Sequence, residues 1–154
     1  VLPALSASAP PLADAQIANC TKVLENLPVA LNGLKPRVVH TVPVTPFVVA
    51  WGDPAIVLRC GVDRPKDLKA GSDKNLIAGG ELSGAYYDVT RAGDTNVYTA
   101  VDRAAYVSIT IPSKYQGADQ LPVLNRAIVA AMPRAVCSTD PREADVTKLC
   151  TRRK

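Results

Sequence analysis

The chain predicts an α+β fold, a mainly antiparallel sheet of about four to five strands with two helices packed on one face and two disulfides. Three observations carry this. Apolar residues recur at helical spacing near both ends of the chain, and they alternate along the segments between. Four cysteines stand far apart at positions that suit disulfides. The 154 residues, 47% apolar and 21% charged, fit one domain and are unlike a disordered chain.

Residues 1–12, VLPALSASAPPL, read as a flexible leader left after signal-peptide removal. Residues 13–154 read as a single α+β domain with a disulfide-pinned C-terminal segment. The first helix is expected from Ala13 to Asn26, with Ile17, Cys20, Leu24 and Leu27 on its apolar stripe and Pro28 as its stop. Pro28, Pro36, Pro43 and Pro46 make residues 28–46 an extended connection, with an edge strand at Val38–Val42. Phe47–Trp51 adds a short strand, and Gly52-Asp53-Pro54 a turn. Ala55–Val62 then alternates: Ile56, Leu58, Cys60 and Val62 share one face, while Val57 and Arg59 take the other.

Residues 63–80, DRPKDLKAGSDKNLIAGG, read as a long polar loop. Leu82–Thr90, Asn96–Val101 and Tyr106–Ile111 follow as a three-stranded meander. Its last strand places Val107, Ile109 and Ile111 inward, with Ser108 and Thr110 outward. A second helix runs from Gly117 to Ala131 and presents Leu121, Leu124, Ile128 and Ala131; Pro133 closes it. A short helical turn is expected at Glu143–Leu149.

Cys20 and Cys60 both fall on core-facing stripes, so they are expected to pair. Cys137 and Cys150 flank the polar segment CSTDPREADVTKLC, and a bond there would hold it down. No two cysteines are spaced Cys-x-x-Cys and only one histidine exists, which argues against zinc; no metal or other cofactor is expected. An even cysteine count beside one Met and one Phe suits an oxidised, exported protein.

The same inventory excludes several chemistries. His40 lies in the Pro-broken HTVPVTP with no nucleophile in a sharp strand–turn–helix context, so a Ser-His-Asp site is not expected. Phosphate loops and dinucleotide fingerprints are absent, and Ile77 stands where a calcium loop needs oxygen. The net charge of +4 has its densest cluster in Arg152-Arg153-Lys154, which is no stripe for nucleic acid. No apolar run approaches a membrane span; VVHTVPVTPFVVAW is broken by His40, Pro43 and Pro46. Asp53, before Pro54, reads as a turn former. The candidate binding residues are Trp51, Arg59, Tyr98 and Tyr106, the tyrosines as an outward cross-strand pair.

Residues 50–62, AWGDPAIVLRCGV, resemble a motif of the actinobacterial family of exported proteins called domain of unknown function 3515. The match rests on Cys20 in an early helix, Ala50-Trp51-Gly52-Asp53-Pro54, the strand Ile56–Leu58, and Arg59-Cys60-Gly61. A second block, VYTAVDRAAYVSITIPSKY, is similar through Asp102-Arg103, Tyr106-Val107 and Pro112. Tyr86-Tyr87 stand where the family tends to have a Trp. The resemblance implies export and an actinobacterial envelope, in a family with no known activity. The expectation is a secreted cell-envelope protein, a non-catalytic binding or assembly module acting on a protein or cell-wall component. The alternative is an envelope enzyme working on a glycan or peptide through Asp53 and Arg59 near Trp51.

Overall fold

The structure, a computed structural model of the chain, describes residues 4–9, 14–63, 65, 76–77, 85–115 and 119–132. Helix α1 spans Asp14–Asn26 and α2 spans Gln120–Ala131. In α1 the turn-spaced Cys20 and Val23 are fully buried, with Leu24 and Leu27 packed beside them. Ile17, one turn earlier, lies at the rim and is 43% exposed. The Leu27 amide donates to the Leu24 carbonyl as the helix closes ahead of Pro28. In α2, Leu121, Leu124, Ala127, Ile128 and Ala131 form the buried face. Pro122 is tolerated because it lies in the first turn, where an amide would have no intrahelical acceptor.

The described residues form nine strands. These are β1 (Leu5–Ser8), β2 (Pro36–Arg37), β3 (Val39–Val42), β4 (Val48–Trp51), β5 (Ile56–Cys60), β6 (Leu76–Ile77), β7 (Tyr87–Ala92), β8 (Thr95–Ala100) and β9 (Val107–Pro112). Seven build one sheet in the order β2-β4-β5-β9-β8-β7-β6, with every pairing antiparallel. β1 and β3 form a separate parallel pair.

The α+β class and the β7–β8–β9 meander agree with the sequence. The strand count is larger than the expected four to five, for two reasons. β2 and β6 are two-residue strands that leave no periodic trace. β1 lies inside the segment read as a flexible leader, where alternation of Leu5 and Ala7 with two serines is enough once a partner strand is supplied. The Val38–Val42 segment does form a strand, but it pairs with β1 outside the large sheet.

Cys20 and Cys60 form a disulfide that ties α1 to β5. The expected Cys137–Cys150 bond and the Glu143–Leu149 turn lie outside the described residues.

The core explains why β5 does not alternate in burial. On one face Trp51, Ile56, Leu58, Cys60, Tyr87, Val107 and Ile109 pack with Cys20 and Val23 of α1 and Leu121, Leu124 and Ile128 of α2. On the other face Val48, Ala50 and Val57 pack under Leu5, Ala7 and Ala9 at β1, with Val39 of β3 and Ala55. The β1–β3 pair is thus a third layer. It covers β4 and β5, so Val57 is buried although the sequence placed it opposite the core face.

Candidate functional site

Strand register assembles the site. Asp88 on β7 lies opposite Thr99 on β8, Thr99 opposite Ser108 on β9, and Ser108 opposite Arg59 on β5. Residues in cross-strand register share a face. The four side chains therefore form one polar row on the sheet face away from the helices. Row neighbours one step along are Thr90, Val97, Thr110 and Val57.

A cleft of about 350 Å³ opens over this row. Asp88, Thr90, Thr99 and Ser108 line it from the strands, and Val62, Asp63 and Pro65 from the segment after β5. Gly61, at φ +90, lets the chain swing out of β5 into that wall. The amides of Gly61 and Val62 both donate to the Tyr106 carbonyl, at 2.8 and 3.2 Å, which fixes the wall against the start of β9.

Asp88, Thr99 and Ser108 are deeply set, 1%, 7% and 7% exposed. Neither the Thr99 nor the Ser108 hydroxyl has a hydrogen-bond partner among the described residues. The residues are recessed, but their hydroxyl oxygens reach the open cleft. Two hydroxyls facing an open cleft are thus placed for water or a ligand to bond.

Arg59 ends the row at the boundary of the β1 layer. Its Nε donates to the Ser8 carbonyl at 3.0 Å. Burial lowers its pKa below the ordinary arginine value. Its ordered contact is with β1, and Asp53 pairs elsewhere. The Asp53 carboxylate lies 3.8 Å from Arg37 Nη1, and Arg37 also donates to the Gly52 carbonyl at 3.1 Å. Arg59 lies opposite Val48, whereas the Gly52–Asp53–Pro54 turn follows Trp51, which lies opposite Ile56. Three residues of strand, about 10 Å, separate the two. They make no joint site.

Trp51 is fully buried among the helix-side core residues, and its Nε1–H donates to the Val29 carbonyl at 3.1 Å. An indole so placed cannot belong to an exposed patch. Tyr98 lies opposite Ile109 and packs against the core, so it too faces the helices. Tyr106 is half-buried just before β9. The expected outward pair of tyrosines is not formed, because the register brings Tyr98 to Ile109.

A second polar cluster lies beneath α2. The Tyr87 hydroxyl donates to Asn125 Oδ1 at 2.6 Å. Burial raises the Tyr87 pKa, Asp102 raises it further, and Arg103 opposes. Asp102 and Arg103, read in sequence as a turn, form a buried ion pair at 3.2 Å. Such a pair is retained only with close geometry, since desolvation of both charges is costly.

Ser108 is separated from Asp88 by β8, about 9.5 Å at two strand spacings, beyond the reach of a general base. Among the described residues no three His, Cys, Asp or Glu side chains gather as a metal site. No described helix is long and apolar enough to cross a membrane.

The sequence reading missed Asp88 and Thr99. Their signal was phase: Asp88 and Thr90, Thr95 and Thr99, and Ser108 and Thr110 each fall on alternate positions of their strands.

Fold and cleft together define a class: a disulfide-tied α+β protein with a recessed polar cleft on the helix-free face of its sheet. The family model described as protein of unknown function (DUF3515) matches residues 3–137, and the chain belongs to that family. No curated protein and no solved structure matches it.

Proposed function

We propose that this protein is a secreted cell-envelope module, non-catalytic, that binds a small polar part of a cell-wall component or partner protein in the helix-free cleft. One observation carries the reading: the recessed Thr99 and Ser108 hydroxyls have no protein partner among the described residues and line an open cleft beside Asp88. Hydroxyls recessed in a cleft and open to it can hydrogen-bond a ligand that enters. The buried Cys20–Cys60 bond supports an oxidising compartment, and with it the exported, actinobacterial-envelope setting that the family resemblance implies.

The enzyme reading through Asp53, Arg59 and Trp51 has no support in the geometry, since the three do not share a cleft. The test is titration of ¹⁵N-labelled protein with a soluble muramidase digest of purified cell wall. Saturable shifts in the amides of Asp88, Thr99 and Ser108 are expected. Shifts confined to other surfaces, or none from the digest or from an envelope extract, would remove the cleft as the binding site.

A further inference from the structure

We infer that the tip joining β3 to β4 docks on an anionic phospholipid surface, with Val42 and Val44 entering the interface and Arg59 facing the lipid phosphates. Exposure singles the tip out. Val44 and Val42 are 94% and 88% exposed, more than any other large apolar side chain among the described residues. Pro43 and Pro46 beside them are exposed as well. Val38, 65% exposed, continues the apolar row, because residues four apart on an extended strand share a face. Surface valines scattered singly are ordinary, whereas these are neighbours.

The backbone of the tip suits a setting with little water. Pro43 and Pro46 carry no amide hydrogen. The Thr45 amide donates to the Thr41 hydroxyl at 3.0 Å, and the Phe47 amide to the Thr45 hydroxyl at 3.2 Å. Few amide donors are left to lose water when the tip is covered. Charge selects the kind of surface. Residues 4–9 and 38–47, which build the β1–β3 layer and the tip, hold no Asp or Glu. Arg59 stands at the same end of the layer: its Nε donates to the Ser8 carbonyl, and Ser8 lies opposite Val42. It is half-buried and forms no ion pair with a described carboxylate. The net charge of +4 adds attraction at longer range. Size argues against a second protein, since a few side chains fall far short of the roughly 800 Å² per partner that a stable protein interface buries. A lipid surface needs no such area, because shallow apolar contact and charge act together there.

Flotation of the whole protein with phosphatidylcholine vesicles, with and without phosphatidylglycerol, is the test. Binding is expected with phosphatidylglycerol and not with phosphatidylcholine alone. Val42→Ser with Val44→Ser keeps the net charge, alters two exposed positions, and should weaken binding about tenfold. Arg59→Gln should weaken it about fivefold. Lys22→Gln, the same loss of charge at an exposed position on α1, should change little. Because Arg59 also holds β1, Arg59→Lys is the control: it keeps the charge and should keep the binding. Val44→Trp adds an emission that should shift blue on vesicles and be quenched by brominated lipid, while the native Trp51 is fully buried. Binding that survives the double valine change, or that falls equally with Arg59→Gln and Lys22→Gln, would belong to net charge alone and overturn the inference. So would absence of binding to either vesicle. A concentration-dependent dimer abolished by the valine changes would overturn it too, by giving the tip to a second copy.

Discussion

Tyr87 shows how far one side chain is committed to the fold. Its ring belongs to the helix-side core and its hydroxyl reaches Asn125 on α2. Tyr87→Phe leaves the buried Asn125 carbonyl oxygen without that donor, a loss of about 1–3 kcal/mol in urea unfolding. Tyr87→Phe with Asn125→Leu should recover part of it, since the stranded acceptor is gone. The pH dependence follows from the direction of the shift. Burial holds the native phenol protonated well above its ordinary range. In the unfolded chain it ionises near pH 10. The Tyr87 contribution is therefore complete below about pH 10 and declines as pH rises, because the unfolded state then binds fewer protons. Tyr115, also raised by burial and then by Asp53, slopes the same way. Tyr87→Phe should flatten the alkaline limb without abolishing it; an unchanged limb would mean that the native phenol titrates normally. Residues such as Trp51 and Tyr98 looked in the sequence like an exposed aromatic patch. Side-chain type does not reveal which face of a sheet is covered, and here the helices cover theirs.

Elements were legible where their periodicity was long. Both helices and the strands β5, β7, β8 and β9 follow from apolar spacing, and the Cys20–Cys60 bond from the coincidence of two core-facing phases. The bond closes a 40-residue separation, and the chain-entropy argument assigns it roughly 4 kcal/mol. Cys20→Ala with Cys60→Ala should lower stability by up to that amount in denaturant unfolding, with the secondary structure kept. A change near zero would mean that packing of α1 on β5 already restricts the unfolded chain. β1 was not legible, because its stability is supplied from outside the strand. Leu5 and Ala7 pack on Val57 and its neighbours, the Leu5 amide donates to Val38, and Arg59 holds the Ser8 carbonyl. Arg59→Met keeps the stem and removes the donor. Its cost should be small, about 1 kcal/mol at a half-exposed site, but amide exchange in β1 should quicken while β5 stays protected. Equal acceleration in both strands would show that β1 and the large sheet open as one unit.

At the scale of the whole molecule the two faces of the sheet are put to different uses. One is filled by α1 and α2 around an apolar core. The other is apolar over β4 and β5, under β1 and β3, and polar over β7, β8 and β9, where the cleft lies. Thr99 and Ser108 line that cleft, where a hydroxyl can serve solvent or a ligand as well as the fold. Substituting Thr99→Val and Ser108→Ala together separates the two demands. Both changes keep or reduce side-chain volume and remove a cleft-facing hydroxyl that no described residue bonds. Stability should change by no more than about 1 kcal/mol, since neither hydroxyl bonds a described residue. Binding of the wall digest should fall at the same time, because the ligand loses two hydrogen-bonding groups at the floor of the cleft. Urea unfolding and the cleft-amide titration, run on one sample, read both effects. A stability loss well above 1 kcal/mol would assign the hydroxyls to the fold, and unchanged digest binding would assign recognition to another surface.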